Sequence, residues 1–264
     1  MNLLSVQTAQ ERILHKIHPV GQTHVPLDQA ARRVLAQDIH AATNLPPFDN
    51  SAMDGFAVRT ADTSASRVTL HVVADIAAGA SLAGSLAPGE AARIMTGAPL
   101  PEGADAVIPV EETDFSERGA GSPAPAQVTI ARKAKTGENI RPRGSDIHAG
   151  QAVLTACQRL RPQELGLLAM LGMANVPVFD IPRVALLSSG DELLPVESPL
   201  TDGKIHDSNS YALAAQIEEA GAQVIRLGVA ADERAAVENL LDKAVDSSAK
   251  LIVTSAGVSV GAFD

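Results

Sequence analysis

The sequence has few aromatic residues and more acidic than basic side chains. Phe, Trp and Tyr together make up 2% of its 264 residues, and Trp is absent. Proteins that bind single-stranded nucleic acid stack the bases on aromatic side chains, so this scarcity argues against that class. Lys and Arg total 21 against 31 Asp and Glu, which gives a formal net charge of −10. Such a charge repels a phosphate backbone, so no nucleic-acid partner is expected.

Cysteine and long apolar runs are also scarce. The single cysteine, Cys157, cannot form an internal disulfide, which fits a reducing compartment. No apolar run approaches the roughly 20 residues that cross a bilayer, and the polar N-terminal segment is not predicted to be a signal peptide. The motifs of zinc proteases, zinc fingers, serine hydrolases and P-loop enzymes are absent as well. These features predict a soluble, cytoplasmic protein with no membrane partner.

Two helices are predicted within about the first 40 residues. The second is expected to begin at Asp28 and to carry Val34 and Leu35. Ser5 is placed to cap the first helix. The apolar face of that first helix would comprise Val6, Ala9, Ile13 and Ile17.

Short strands are predicted between Pro46 and about residue 142, where alternating apolar runs are separated by Gly, Pro and Ser. The stretch "PPFDNSAMDGFAVR" opens this region and places Asp49 and Asp54 in a stiff turn. Gly55 is expected to take a backbone angle that is closed to other residues. Two interpretations are open, since the carboxylates either bond the backbone of the turn or face a ligand. A further helix is predicted from Pro162.

The last part of the chain alternates apolar strands with helices. The strands are "RVALLSSG", "AQVIRLGVA" and "AKLIVTSAG", and the helices are one that Gly221 would end and one that Asp232 is placed to cap. This order predicts a doubly wound parallel sheet, which binds ligands at the carboxyl ends of its strands. The polar residues that follow the three strands are Ser188, Ser189, Gly190, Asp191 and Glu192, then Asp232 and Glu233, then Gly257, Ser259 and Gly261.

Each of these residues also has a purely structural interpretation. Asp232 could simply cap a helix, and Glu192 could be a solvated acid at a helix start. Asp207 and Asn209 could likewise do no more than begin a helix. Basic side chains are concentrated at residues 133–146, where they form either a solvated face or a grip on phosphate. These side chains are Lys133, Lys135, Arg141 and Arg143.

Six strings resemble the molybdopterin molybdenumtransferase family, which includes the bacterial MoeA proteins and the E domain of gephyrin. They are "PPFDNSAMDGFAVR", "RIMTGAPLPEGADAVIPVEET", "GENIRPRGSDI", "RVALLSSGDEL", "IHDSNS" and "TSAGVSVGAFD". The resemblance implies an α/β and β multidomain fold. Its parts would be a helical and β linker or dimerisation domain in residues 1–45 and 143–177, a small β domain in residues 46–142, and an incomplete, doubly wound parallel α/β domain that binds molybdopterin in residues 178–264.

The resemblance also implies a reaction and the residues that perform it. Family members insert molybdenum from molybdate into adenylylated molybdopterin and release AMP, with a divalent cation such as Mg²⁺. The positions that match catalytic residues are Asp54, Thr96, Asp146, Glu192, Asp232 and Asp264. The implied metal ligands among them are Glu192, Asp232 and Asp264. The implied molybdopterin-binding residues are Ser189, Gly190, Asp191, Asp207, Asn209, Gly257, Ser259 and Gly261.

Partners are implied in the same way. A homodimer is expected, whose active site combines the Asp54 loop of one subunit with the sheet edge of the other. Molybdopterin adenylyltransferase and the maturation proteins of molybdenum enzymes are further implied partners. Family members continue beyond the last residue here with more strands and a C-terminal barrel, so these 264 residues alone are not expected to complete metal insertion. The alternative is a non-catalytic binding or dimerisation fragment of the same fold.

Overall fold

The computed structural model describes residues 4–65, 67–80, 84–116 and 121–255. The chain divides into two compact units. The β unit is Ile39–Val153, and the α/β unit combines Met1–Asp38 with Leu154–Asp264. The division into three domains that the sequence suggested stays a prediction. Among the described residues, no helix is both long and apolar enough to span a bilayer.

The helices are α1 (Val6–Leu14), α2 (Pro162–Met170), α3 (Asn209–Glu219) and α4 (Arg234–Asp246). The strands are β1 (Gln22–Pro26), β2 (Ile39–His40), β3 (Asn50–Ser51), β4 (Gly55–Val58), β5 (Val68–Ile76), β6 (Glu90–Ile94), β7 (Ala106–Pro109), β8 (Gln127–Ile130), β9 (Ile140–Arg141), β10 (Ala152–Leu154), β11 (Asn175–Phe179), β12 (Arg183–Ser189), β13 (Leu193–Leu194), β14 (Ile205–His206), β15 (Gln223–Ala230) and β16 (Leu251–Thr254).

The β unit is built on a five-stranded sheet in the order β7-β4-β6-β5-β8. Strands β5 and β6 run parallel, and the other pairs are antiparallel. Successive residues of a strand point to opposite faces, and both faces of β4 are covered. Phe56 and Val58 belong to one buried cluster, whereas Ala57 belongs to another. The predicted strands of this region are confirmed, and the sheet has an apolar core on each side.

The α/β unit contains the predicted parallel sheet, in the order β15-β12-β16. Helix α4 packs its apolar stripe against Leu187 and Ala230. Asp207, just before α3, instead contacts Ser188, which points to the other face of β12. The helices therefore cover opposite faces, as a doubly wound sheet requires. The predicted α/β and β multidomain fold is confirmed.

The N-terminal helix is shorter than the sequence pattern suggests. Ser5 caps it as predicted, because its Oγ accepts a hydrogen bond from the Thr8 amide at 3.1 Å. The helix ends at Leu14, so Ile17 lies beyond it. None of the residues of α1 is buried.

The predicted helix from Asp28 is wrong. The structure has a single 3-10 turn at Leu27–Gln29, and Arg32 then adopts a positive φ of 64°. The Leu35 amide donates to the carbonyl of Gln158 at 2.9 Å, and Val34 bridges to Arg159. Pairing with distant backbone therefore replaces the local hydrogen bonds of a helix. This pairing is favoured because it buries Leu35 completely.

Helix α2 begins at the predicted residue. Pro162 occupies its first turn, where a missing amide proton costs nothing. Glu164 folds back to accept hydrogen bonds from the Arg161 backbone amide and guanidinium. The Arg161 guanidinium, followed by that amide, holds the pKa of Glu164 below its ordinary value. Strand β1, which the sequence pattern did not predict, pairs antiparallel with β11.

Candidate functional site

The turn that carries Asp54 is fixed by a residue 42 positions along the chain. Asp54 Oδ1 accepts a hydrogen bond from the Thr96 amide at 2.8 Å and another from Thr96 Oγ1 at 2.7 Å. The carbonyl of Asp54 accepts from the Val110 amide at 3.1 Å. Two side chains that the family resemblance selected are therefore in direct contact. The threonine holds one carboxylate oxygen in a defined position.

Asp49 has a different role in the same turn. Its Oδ1 accepts a hydrogen bond from the Arg143 amide at 2.6 Å, and its carbonyl accepts from the Leu100 amide at 3.0 Å. Ser51 is fully buried, and its Oγ donates to the Met53 carbonyl at 2.6 Å. Asp49 therefore links three segments of backbone. Of the two interpretations of the turn carboxylates, the structural one applies to Asp49.

Gly55 is required for a reason other than the one predicted. It does not have a positive φ. A Cβ atom at this position would instead lie 2.0 Å from the carbonyl oxygen of Ile108 on the neighbouring strand β7. The glycine therefore permits a close approach of two strands directly after Asp54.

The basic segment lies partly beside this turn. Strand β9 pairs with β3, so Arg141 is opposite Asn50. The side chains of Arg141 and Arg143 are exposed. Asp146 is exposed too; its amide donates to the Leu45 carbonyl at 3.0 Å and its Oδ1 accepts from Ser145 Oγ at 3.3 Å. Carboxylates and guanidinium groups are thus presented to solvent from adjoining loops.

In the α/β unit, the loops after β12 and β15 are tied to each other. The Asp191 amide donates to Asp232 Oδ2 at 3.3 Å, and the Asp232 amide donates to Asp191 Oδ1 at 3.1 Å. The Glu192 carboxylate lies over Gly190, where a Cβ would come within 2.7 Å of Glu192 Oε2. Three acidic side chains are therefore concentrated at the carboxyl edge of the sheet, where ligands of this fold bind.

The predicted cap of α4 is wrong. Glu233 is the N-cap residue, and no side chain caps the helix. Asp232 uses its carboxylate on the Asp191 amide instead. Since Asp232 is not needed as a cap, its carboxylate serves to hold the two strand-end loops together.

A pocket of about 500 Å³ opens beside these loops, on the face of the sheet that α3 covers. The residues that line it are Leu186, Gly190, Asp191, Leu193, Pro195, Asp207, Ser210, Tyr211, Arg226, Gly228, Val229, Ala230 and Ala231. Apolar walls with a few convergent polar groups are typical of small-molecule sites.

Buried hydrogen bonds shape the back of the pocket. Asp207 Oδ2 accepts from Ser188 Oγ at 3.3 Å, and Asp207 Oδ1 accepts from the Ser210 amide at 3.1 Å. Ser255, after β16, donates from its Oγ to Ser188 Oγ at 2.6 Å. Asp207 is 6% exposed, so its carboxylate is fixed by these contacts and by the start of α3.

The structure brings some predicted residues together and separates others. Gly190, Asp191 and Asp207 line the pocket, and Asp232 reaches it through Asp191. Ser189, Glu192 and Asn209 are not part of the lining. Four predicted site residues lie outside the described residues, namely Gly257, Ser259, Gly261 and Asp264.

The polar lining residues that the sequence analysis missed are Ser210, Tyr211 and Arg226. The Arg226 guanidinium carbon lies 4.4 Å from the centroid of the Tyr211 ring. The available signal was an arginine within the otherwise apolar strand "AQVIRLGVA". Strand periodicity could not assign it to the pocket, because an extra residue bulges β15 after Arg226.

The described residues do not by themselves fit a magnesium site. Within the part of the chain that the structure describes, no three or more His, Cys, Asp or Glu side chains are grouped to hold a metal ion. Asp191 and Asp232 each accept an amide hydrogen bond from the other's loop, which occupies oxygens that a cation would use. A magnesium site therefore stays a prediction of the family resemblance.

Comparisons with known proteins cover nearly the whole chain. Residues 4–172 match the family model described as MoeA N-terminal region (domain I and II). Residues 185–264 match the model of a probable molybdopterin binding domain. These two ranges contain the Asp54 turn and the pocket respectively.

Curated relatives agree with both matches. The chain is 44% identical over 265 residues to molybdopterin molybdenumtransferase 2 of Mycobacterium tuberculosis, which covers 98% of this chain and 63% of that protein. It is 42% identical over 271 residues to molybdopterin molybdenumtransferase of Bacillus subtilis, covering 99% of this chain and 60% of that protein. The chain thus spans less than two thirds of the length of these relatives.

A solved structure supports the fold. The molybdopterin biosynthesis MoeA protein from Pyrococcus horikoshii has a TM-score of 0.85 and 31% sequence identity, over 96% of this chain and 66% of that one. The likeness therefore extends across both units of the chain.

Proposed function

The chain belongs to the MoeA family, and from that premise we propose that it acts in molybdenum-cofactor biosynthesis as part of a molybdopterin molybdenumtransferase. The natural protein that carries this sequence would bind adenylylated molybdopterin and molybdate, insert molybdenum into the pterin dithiolene and release AMP. The non-catalytic alternative is not favoured, because relatives named for the transferase match nearly the whole chain.

The observation that carries this proposal is the pocket at the carboxyl edge of the parallel sheet. It lies within the residues that match a molybdopterin binding domain. In this pocket the Asp191 carboxylate accepts a hydrogen bond from the Asp232 amide through Oδ1, which leaves Oδ2 as an acceptor for the amino or ring N–H groups of a pterin or for the amino group of adenine. The apolar lining of the pocket suits the flat faces of such rings.

The Asp54 turn supplies a different chemical capability. Molybdate is a dianion and adenylylated molybdopterin carries phosphates, so carboxylates do not bind either anion directly at neutral pH. A fixed carboxylate can instead transfer protons as oxo groups leave the metal. Thr96 restricts the Asp54 carboxylate to one position, which proton transfer requires. We assign proton transfer to Asp54 and positioning to Thr96.

The remaining predicted roles form part of the same proposal. Arg141 and Arg143 would hold phosphate oxygens, since both guanidinium groups are exposed. Three further carboxylates would take part in the reaction beside Asp54, namely those of Asp146, Glu192 and Asp232. A magnesium requirement, a cytoplasmic location, a homodimer and contacts with molybdopterin adenylyltransferase and maturation proteins of molybdenum enzymes are proposed from the family resemblance.

The proposal is tested by binding of adenylylated molybdopterin, followed through the pterin fluorescence. We expect saturable binding by the natural protein and roughly 10-fold weaker binding by Asp191→Ala, which removes a charged acceptor. Asp242→Ala is the matched control, because it removes an exposed carboxylate from α4 outside the pocket. Absence of binding by the unaltered protein, or equal losses in both variants, would contradict the proposal.

A further inference from the structure

Arg226 is the source of positive charge in the pocket. Among the described residues that line it, no other Arg or Lys is present. The same lining contains two carboxylates, Asp191 and Asp207. A cation in a small-molecule site either neutralises a neighbouring carboxylate or faces an anionic group of the ligand.

The neighbouring carboxylates are engaged elsewhere. Asp207 accepts hydrogen bonds from Ser188 and Ser210, and Asp191 accepts from the Asp232 amide. The ion pairs within the described part of the chain do not include Arg226. Its charge is therefore not paired with a carboxylate of the described residues.

The Arg226 guanidinium packs on an aromatic ring at an exposed position of β15. Arg226 lies on β15 opposite Leu186, and its guanidinium lies over the Tyr211 ring of α3 at 4.4 Å. A guanidinium that packs on an aromatic face keeps its N–H donors around its rim, in a fork that matches phosphate oxygens. Gly228 follows the bulge with a φ of 90°, and a Cβ there would meet no atom within 4 Å, so the space beside Arg226 stays open.

We propose that Arg226, packed on Tyr211, is a specificity-determining contact of this pocket and binds a phosphate ester of the ligand. This inference rests on the proposed function, because it names the group of the substrate that the pocket recognises. Both the adenylyl part and the pterin part of such a substrate can carry the phosphate. The other interpretation is that Arg226 serves only to pack Tyr211 against the edge strand.

The two interpretations predict different ligand dependence. The experiment measures dissociation constants by calorimetry for two pairs of probes, AMP with adenosine and neopterin monophosphate with neopterin. Within each pair, the ratio of the two constants isolates the contribution of the phosphate. A packing role would weaken phosphorylated and unphosphorylated probes equally, leaving each ratio unchanged.

For Arg226→Gln, we expect the preference for the phosphorylated probe, measured as the ratio of the two dissociation constants, to fall roughly 10-fold or more in at least one pair. This is the size of effect expected when a charged hydrogen bond is lost. Arg226→Lys should keep part of the preference for the phosphorylated probe. Tyr211→Phe should keep nearly all of that preference because the ring remains. Loss with AMP assigns the phosphate to the nucleotide, and loss with neopterin monophosphate assigns it to the pterin.

Arg183→Gln is the matched control, because it removes a positive charge at the start of β12, whereas the pocket lies at the carboxyl edge of the sheet. The phosphate contribution should be unaffected in that variant. Unchanged ratios in Arg226→Gln, equal losses in Arg183→Gln, or no phosphate contribution in the unaltered protein would overturn the inference. Molybdate-dependent AMP release would still test the proposed function separately, so the two failures are distinguishable.

Discussion

At the scale of single residues, the Asp54 carboxylate is held by two hydrogen bonds from Thr96. Its position depends on Thr96 and on the close approach that Gly55 allows. The sequence indicated the turn and its acids, and the resemblance added Thr96. Neither revealed the contact between them, because the two residues are 42 positions apart and strands β4 to β6 have to form before they meet.

In the natural protein that carries this sequence, we expect Asp54→Ala to abolish metal insertion while the protein stays folded. Losing a proton-transfer group costs about 10²- to 10⁴-fold in rate, whereas two lost hydrogen bonds at an exposed turn cost only about 1–2 kcal/mol of stability. The measurement is rescue of a strain that lacks its own molybdenumtransferase. Asp114→Ala is the matched control, because Asp114 Oδ1 also accepts a backbone amide, from Thr129 at 2.8 Å. Near-normal rescue by Asp54→Ala would favour Asp49 or a purely structural turn.

Gly55→Ala should destabilise the β unit severely, because its methyl group would lie 2.0 Å from the Ile108 carbonyl oxygen. Thermal unfolding measures the effect. Gly166→Ala is a control in which no clash is expected. Gly166 lies on the exposed face of α2, and a Cβ atom there would have no atom within 4 Å. That change should stabilise by about 0.5–1 kcal/mol through helix propensity. A Gly55→Ala variant as stable as the unaltered chain would refute the close strand approach.

At the scale of elements, the apolar strands of both sheets were predictable because buried residues dominate them. Strand β12 is one example, with Val184 to Ser188 all buried. The false helix after Asp28 shows the limit of local pattern, since Leu35 is held by distant backbone at Gln158. The pocket contact of Arg226 was equally inaccessible, because a bulge in β15 and a ring from α3 determine it.

The turn between β8 and β9 should make stability depend on pH. The Arg132 guanidinium, and then the Lys135 amide, lower the pKa of Glu138 below its ordinary value. A lowered folded-state pKa contributes stability that is present above the unfolded value of about 4.3 and is lost as the pH falls through the folded value. Glu138→Gln should therefore lower the free energy of unfolding at pH 7 by on the order of 1 kcal/mol.

The deficit of Glu138→Gln should shrink as the pH falls below the unfolded value of about 4.3, and it should disappear below the lowered folded value, where the native carboxylate is itself protonated. Urea unfolding at neutral and acidic pH measures both values. Glu102→Gln, at an exposed position of the same unit, should show little deficit at either pH. A Glu138→Gln deficit that persists unchanged in acid would show that the side chain contributes by packing instead of by charge.

At the scale of the whole molecule, we propose that the exposed apolar side chains of α1 contribute to the predicted homodimer. Val6 is 85% exposed and Ile13 is 60% exposed. We expect the chain to elute with twice the monomer mass of 27.3 kDa in light scattering. Ile13→Asp should shift the population towards the monomer, whereas Gln10→Asp on the same helix should not. A monomer at all concentrations would contradict the predicted homodimer.

We propose that the natural protein couples the insertion of molybdenum from molybdate to the consumption of adenylylated molybdopterin. The most direct measurement is the rate of AMP release from that substrate, with molybdate and with sulfate as a matched tetrahedral oxyanion. We expect rapid AMP release with molybdate and not with sulfate, together with a product that activates a molybdenum enzyme. AMP release that is equal with sulfate, or absent with molybdate, would contradict it.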